Sequence, residues 1–341
     1  MQQRSPFSLI LALTAALAAA VCAYAAQAAS IAHTFTLPPD FYPESIAVGP
    51  HGTFYIGSWR HGSIARLRPG ETTARVFVPS GSSGLTNTQG VLVDSKRGLL
   101  WACSSDIGYS TAPHHPSALK AFDLKTGAPR GSYALPGGGL CNDLALAHDG
   151  RIFVTDSLHP RILVLDGVHD ELKPWLVAPQ FYPKSGPYCL NGIAIEPGHA
   201  IYVGLVTAAP KLFRIPLRAD GSPGRVETIR FPRTLKNADG IRYLDHNRLL
   251  VFETNAFAKN DPLDGRVSLA TVHANGSATL DTLVNGLASP SSGLAYGRRV
   301  YFIQTKYAIL FKHEPGDSAV IPHGVPFTVQ SAPLPAQAGT H

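Results

Sequence analysis

CNDLALAHDGRIFVTDS, running from Cys141 to Ser157, reads as a β-hairpin with polar residues at its head. Asn142 and Asp143 precede a short apolar run. His148-Asp149-Gly150 supplies the turn, and Ile152–Thr155 is a second run rich in β-branched and aromatic residues. The same phrase occurs five more times: PESIAVGPHGTFYIGSW from Pro43, NTQGVLVDSKRGLLWACSSD from Asn87, CLNGIAIEPGHAIYVGLV from Cys189, NADGIRYLDHNRLLVFETN from Asn237 and SPSSGLAYGRRVYFIQT from Ser289. Aligning the residue before each first strand gives Glu44, Gln89, Asn142, Asn191, Asp239 and Ser292, at spacings of 45, 53, 49, 48 and 53. A near-constant period of that size, with a hairpin in every unit, is the signature of propeller blades. The expected fold is therefore all-β: a six-bladed β-propeller with four-stranded blades around a central channel.

Two more strands complete most units. Ser63–Leu67 pairs with Ala74–Val78, Ala118–Asp123 with Arg130–Leu135, and Arg161–Leu165 with Leu172–Val177. Lys211–Leu217 with Arg225–Phe231, and Arg266–His273 with Ala278–Val284, follow the same plan. In the sixth unit Ala308–His313 is expected as the third strand. Either Ile31–Leu37 or Phe327–Gln330 is expected to fill the fourth place and so hide an edge. The ordered sixfold recurrence disfavours a β-sandwich, which strand density alone allows. The propeller is expected over 31–330, with a flexible tail over 331–341.

The rest of the composition agrees with a folded chain. Of 341 residues, 45% are hydrophobic and only 15% charged, and 32 Gly and 28 Pro against a single Met suit short strands and tight turns. Residues 1–28 read as a secretory signal: Arg4, an apolar stretch from Phe7 to Val21, and small-x-small patterns at Ala23-Tyr24-Ala25 and Ala26-Gln27-Ala28. An uncleaved anchor is the competing reading, disfavoured because Ala-rich stretches insert weakly. The expectation is a secreted or periplasmic protein with no membrane association after cleavage. Cys103, Cys141 and Cys189 would then remain, enough for one disulfide and one free thiol. Cys141 and Cys189 sit at comparable places in neighbouring units and are one candidate pair. The net charge of +6 is scattered without a basic run, which argues against nucleic acid as a partner.

The residue heading each inner strand faces the propeller axis, so the six aligned side chains converge. All six carry oxygen. Two carboxylates, Glu44 and Asp239, with the amides Asn142 and Asn191, make the donor set of a hard cation. Calcium fits best; zinc would call for His or Cys. The bland alternative is that such residues merely cap turns, and Gln89 and Ser292 are expected only to line the channel.

These phrases, above all the first-blade Glu44, CNDLALAHDGRIFVTDS, CLNGIAIEPGHAIYV and NADGIRYLDHNRLLVFE, resemble the regucalcin/gluconolactonase family, and more distantly the paraoxonases and strictosidine synthase-like propellers. The resemblance spans Pro43 to Thr305. It implies a six-bladed propeller with a divalent metal, usually calcium (Ca2+), held at Glu44, Asn142, Asn191 and Asp239. It also implies hydrolysis of a lactone or related ester as the activity, with Asp239 as the general base. Asp143 is an alternative base if it faces the axis, although strand alternation points it outward into inter-blade packing. Arg60, Asp106, Tyr109, His114, His115, His159, Asn255 and Lys306 are candidate substrate contacts at the funnel mouth. No Gly-x-Ser-x-Gly phrase is present, so a serine hydrolase is disfavoured. Two other readings stay open: a non-catalytic ligand- or protein-binding propeller with a structural ion, and a biosynthetic enzyme running a non-hydrolytic reaction in the same pocket.

Overall fold

In the computed structural model, residues 31–335 are described, apart from 168–170, 184–185, 207–209, 255–262 and 318–319. They form six four-stranded antiparallel sheets. The innermost strands are Pro43–Val48, Asn87–Asp94, Cys141–Leu146, Leu190–Glu196, Ala238–Tyr243 and Gly293–Tyr296. Each is followed outward by the next strands of its own blade.

Period-two alternation explains how the blades pack. Ile46, Phe54 and Ile56 of the first blade enter a core shared with Leu294, Ile303 and Val329 of the sixth. Ala47, Tyr55 and Ile64 enter the core on the other side, with Val91, Leu100 and Phe122 of the second blade. One such apolar cluster lies between every pair of neighbouring blades. A strand with both faces buried in this way has no polar face, and residues 54–58 and 152–156 are buried throughout.

The sixth blade differs from expectation in its third strand. Ala308–His313 is not a strand: Tyr307–Leu310 forms one short helix, entered through Lys306 at φ 56°. The third strand is instead Thr328–Pro333, and Ala32–Thr36 pairs on its outside to complete the sheet. The chain thus closes the ring with its N-terminal strand, which shields the outer edge of Thr328–Pro333. Thr328–Pro333 also carries regular structure three residues into the segment expected as a tail. In the fourth blade the outer strand shrinks to Glu227–Thr228. The expected signal segment, 1–28, lies outside the described residues. No helix among the described residues is long and apolar enough to cross a membrane.

A disulfide joins Cys103 to Cys141, with Cα atoms 5.1 Å apart, and Cys189 is a buried free thiol. The Cys141–Cys189 pairing is therefore corrected. A residue heading one blade packs against the end of the second strand of the preceding blade, not against its own counterpart. Cys141 accordingly meets Cys103, on the second strand of blade two. By the same rule the Cys189 thiol donates to the carbonyls of Asp156 and Ser157, at 3.3 Å each. Burial pushes that thiol up to about 11, which leaves it unreactive.

Candidate functional site

The inner strands share an irregularity that builds the site. The pairing register slips between Pro43 and Ser45, Thr88 and Val91, Cys141 and Leu144, Leu190 and Ile193, and Ala238 and Ile241. These bulges contain Glu44, Gln89, Asn142, Asn191 and Asp239. A bulge re-aims a side chain and ends local pairing, and repeated in five blades it turns five polar side chains toward one axis. Glycine follows the axial residue at Gly90 and Gly192 because the neighbouring blade passes so close. A Cβ on Gly192 would clash with the Asp239 carbonyl oxygen.

Glu44, Gln89, Asn142, Asn191 and Asp239 all line one cavity of about 90 Å³. Ser292 does not; its hydroxyl accepts from Arg242 at 3.0 Å. Gln89 donates to the Ser105 hydroxyl at 2.8 Å, and the side chains of Asn191 and Asp239 are hydrogen-bonded to each other. Glu44 Oε2 and Asn142 Oδ1 are buried with no hydrogen-bond partner. Orphaned buried oxygens of this kind call for an explanation.

Burial raises the proton affinity of both carboxyls. Glu44 is held well above the usual range, first by burial and then by the charges of Asp239 and Asp143, against the pull of Arg242. Asp239 is pushed up to about 8 by burial and by Asp143, opposed by Asn191 and Arg242. Tyr307, in the same cavity, is also raised by burial, then by Asp239 and Glu44, so its hydroxyl stays neutral.

Asp143 does not point into inter-blade packing as strand alternation predicts. The bulge at Cys141–Leu144 breaks the alternation there. Its carboxylate accepts from the backbone amides of Leu144 and Ile193 and from Arg242 Nη1 at 2.7 Å. Asp143 and Arg242 thus bridge blades three and five across the channel. Asp143 is absent from the cavity lining, and its guanidinium partner occupies it.

Of the expected funnel-mouth residues, none of the described ones lines the cavity. Arg60 is buried over the Tyr42 ring. Lys306 donates to the Pro326 carbonyl. Asp106 holds the exposed His114 at 2.8 Å, and His159 is held by Asp156 at 3.0 Å. Tyr109 packs behind Trp59, and Asn255 lies outside the described residues. Sequence reasoning missed the upper wall. Trp59, Ser157, Val206 and Thr254, each the residue directly after a blade's second strand, form a second ring in the cavity. That offset is readable in the repeat. The contribution of Tyr307 and Phe311 is not, because it depends on how the segment after the sixth hairpin folds back.

Among the described residues no three His, Cys, Asp or Glu side chains cluster as a metal site. The axial donor set is two carboxylates plus amide oxygens. It suits a hard cation that takes neutral oxygens, and two orphaned oxygens are available to it.

No known protein family and no curated protein matches the chain. Solved structures do. A gluconolactonase from Xanthomonas campestris superposes with a TM-score of 0.59 at 16% identity, covering 89% of each chain. The aldose sugar dehydrogenase of Streptomyces coelicolor, in its PQQ-bound form, gives 0.57 at 11% identity over 89% of this chain and 98% of that one. Virginiamycin B lyase from Staphylococcus aureus gives 0.53 at 11% over 89% and 99%. A hydrolase, an oxidoreductase and a lyase stand side by side here, so the likeness fixes the architecture and leaves the chemistry to the site. By sheet topology and by these neighbours, the chain is a six-bladed β-propeller.

Proposed function

We propose that this protein is an exported, divalent-metal-dependent hydrolase of a lactone or related ester, with calcium at the axis. The observation that carries the reading is the pair of buried carboxyls, Glu44 and Asp239, in one cavity with unpartnered oxygens on Glu44 and Asn142. Two like charges in a shared, desolvated site are unfavourable without a cation. Glu44, Asn142, Asn191 and Asp239 would hold it. When bound, the ion neutralises the carboxylates and supplies electrophilic stabilisation for developing negative charge on an acyl oxygen.

The chain's own residues supply the remainder. Asp239 accepts a proton from the attacking water. The water oxygen bonds to the acyl carbon, the acyl–oxygen bond breaks, and the leaving oxygen takes up that proton; a lactone yields a hydroxy acid. The neutral Tyr307 hydroxyl stands in the same cavity, and apolar side chains above the floor limit bulk water. Asp143, already engaged by Arg242, is not available as the base. Export is supported by the Cys103–Cys141 disulfide, which persists in oxidising compartments.

The test is to measure the metal content of the purified protein and then follow acid release from a lactone and ester panel with and without chelator. Stoichiometric calcium and chelator-sensitive hydrolysis are expected. Activity in metal-free protein would overturn the mechanism, and a calcium-loaded protein inert on the whole panel would favour a binding role or a non-hydrolytic reaction.

A further inference from the structure

The residues that directly follow five of the axial side chains are Ser45, Gly90, Asp143, Gly192 and Gly240. Three are glycine and one is serine, so Asp143 brings the one carboxylate to these positions. A side chain at Gly90 would crowd that carboxylate. The carboxylate is matched by Arg242. Arg242 Nη1 donates to Asp143 Oδ2 at 2.7 Å and to the Ile241 carbonyl at 2.8 Å. Nη2 donates to the hydroxyls of Ser292 at 3.0 Å and Ser45 at 3.4 Å. Asp143 also accepts from Ile193 N–H of blade four, and the Ser45 hydroxyl accepts from Val91 N–H of blade two. One largely buried ion pair is thereby tied to all six blades.

Neither member of the pair lines the cavity that holds Glu44 and Asp239. Both nevertheless act on those two acids, Asp143 as a like charge and Arg242 as an opposite one. Among the described residues no Lys, Arg or His lines the cavity, and the other axial side chains there, Gln89, Asn142 and Asn191, are neutral. With both axial acids ionised, the three carboxylates are opposed by one guanidinium, and two negative charges remain. A divalent cation cancels them. Without Arg242 the loaded site would stay negative, which would oppose the negative charge developing on an acyl oxygen.

We infer that Arg242 is a built-in counter-ion: by cancelling Asp143 it fixes the axial charge, so that the site is matched to a divalent cation rather than to a trivalent one of similar size. Arg242 acts through Asp143 and is a positioning residue. The inference rests on the axial cation proposed above and on nothing about the reaction.

Calcium and terbium ions have similar radii and differ in charge. Proton competition at the axial acids is common to both, so the ratio of their affinities at neutral pH reads the fixed charge. Terbium emission sensitised by Trp59 and Tyr307, which line the cavity, and displaced by calcium measures that ratio. One unit of charge several ångströms from the ion, at an effective dielectric of about 20, corresponds to at least about tenfold in the ratio. Arg242→Met is expected to move it by that much toward terbium. Asp143→Asn keeps the shape, leaves the guanidinium uncancelled and is expected to move it about tenfold toward calcium. The double variant Asp143→Asn/Arg242→Met, and Arg242→Lys, which keeps the charge, should return to the wild-type ratio. Should Arg242→Met not fold, because an unpaired carboxylate is left buried, Asp143→Asn and the double variant carry the test. An unchanged ratio in a folded Asp143→Asn protein overturns the inference, as do shifts of the same sign in both single variants, which would mark a purely structural role. Wild-type protein that takes up neither ion overturns the axial cation and this inference with it. Wild-type protein that binds calcium, with variants that leave the ratio unmoved, overturns this inference alone.

Discussion

Glu44 and Asp239 share a buried site in which burial, more than any single neighbour, resists their ionisation. Asp239→Asn keeps the shape and removes a charge. It is expected to lower calcium affinity by at least about 100-fold and to abolish hydrolysis, with metal titration and acid release as the measurements. The same pair makes metal-free stability fall with pH. In the folded chain Asp239 titrates near 8 against an ordinary 3.8, so the folded state holds more protons than the unfolded one between those values. This contribution is fully present below about pH 4 and is lost as pH rises through about 8. Thermal melts of chelated protein should therefore decline across that window, and calcium should restore stability most strongly at its upper end. A flat profile without metal would show that the two carboxyls do not share a desolvated site. The acids were legible in the sequence because the repeat aligned them. Their proximity to Tyr307 was not, since Tyr307 belongs to no repeated position.

At the scale of the element, the recurrent bulge does more than the strand itself. It aims the axial side chains and also overturns the simple alternation that would send Asp143 outward. The price of the arrangement is close backbone contact between blades four and five. Gly192→Ala would place a methyl against the Asp239 carbonyl. It is expected to destabilise the fold by about 1–3 kcal/mol, as overpacking does, and to weaken metal binding by displacing Asp239. Denaturant unfolding and metal titration on the same variant check both. Neutral stability would mean the blades can slide apart at this point. The short helix Tyr307–Leu310 teaches a complementary lesson. Its apolar residues read as a strand in isolation, but Thr328–Pro333 pairs at that place in the sheet, freeing the earlier segment to form the aromatic wall.

For the whole molecule, stability comes from six inter-blade cores and from closing the ring. The N-terminal strand Ala32–Thr36 closes it by completing the sixth blade, and the Cys103–Cys141 bond ties blades two and three. That bond spans a sequence separation of 38, for which loop-closure entropy in the unfolded chain corresponds to about 4 kcal/mol. Replacing both cysteines by Ala should lower unfolding stability by about that amount, while reductant should have no effect on the doubly substituted protein. An unchanged denaturation midpoint in the double variant would show that the bond does not form in solution. Bond and site are linked by position, since Cys141 directly precedes Asn142, so the same variant is expected to lower affinity at the proposed cation site.

The number of blades, their hairpins and the ring of axial oxygens are legible along the chain, because each of these recurs at a near-constant interval. Cleavage of the expected signal segment would leave three cysteines and so room for one bond. Which cysteine pairs with which, that Arg242 occupies Asp143, which segment completes the sixth blade and what stands over the carboxyls emerge only once the blades are packed together. Each of those depends on how neighbouring blades offset against one another, or on a single excursion folding back across the funnel. Contacts made between blades, by residues that occur once, leave no period to read.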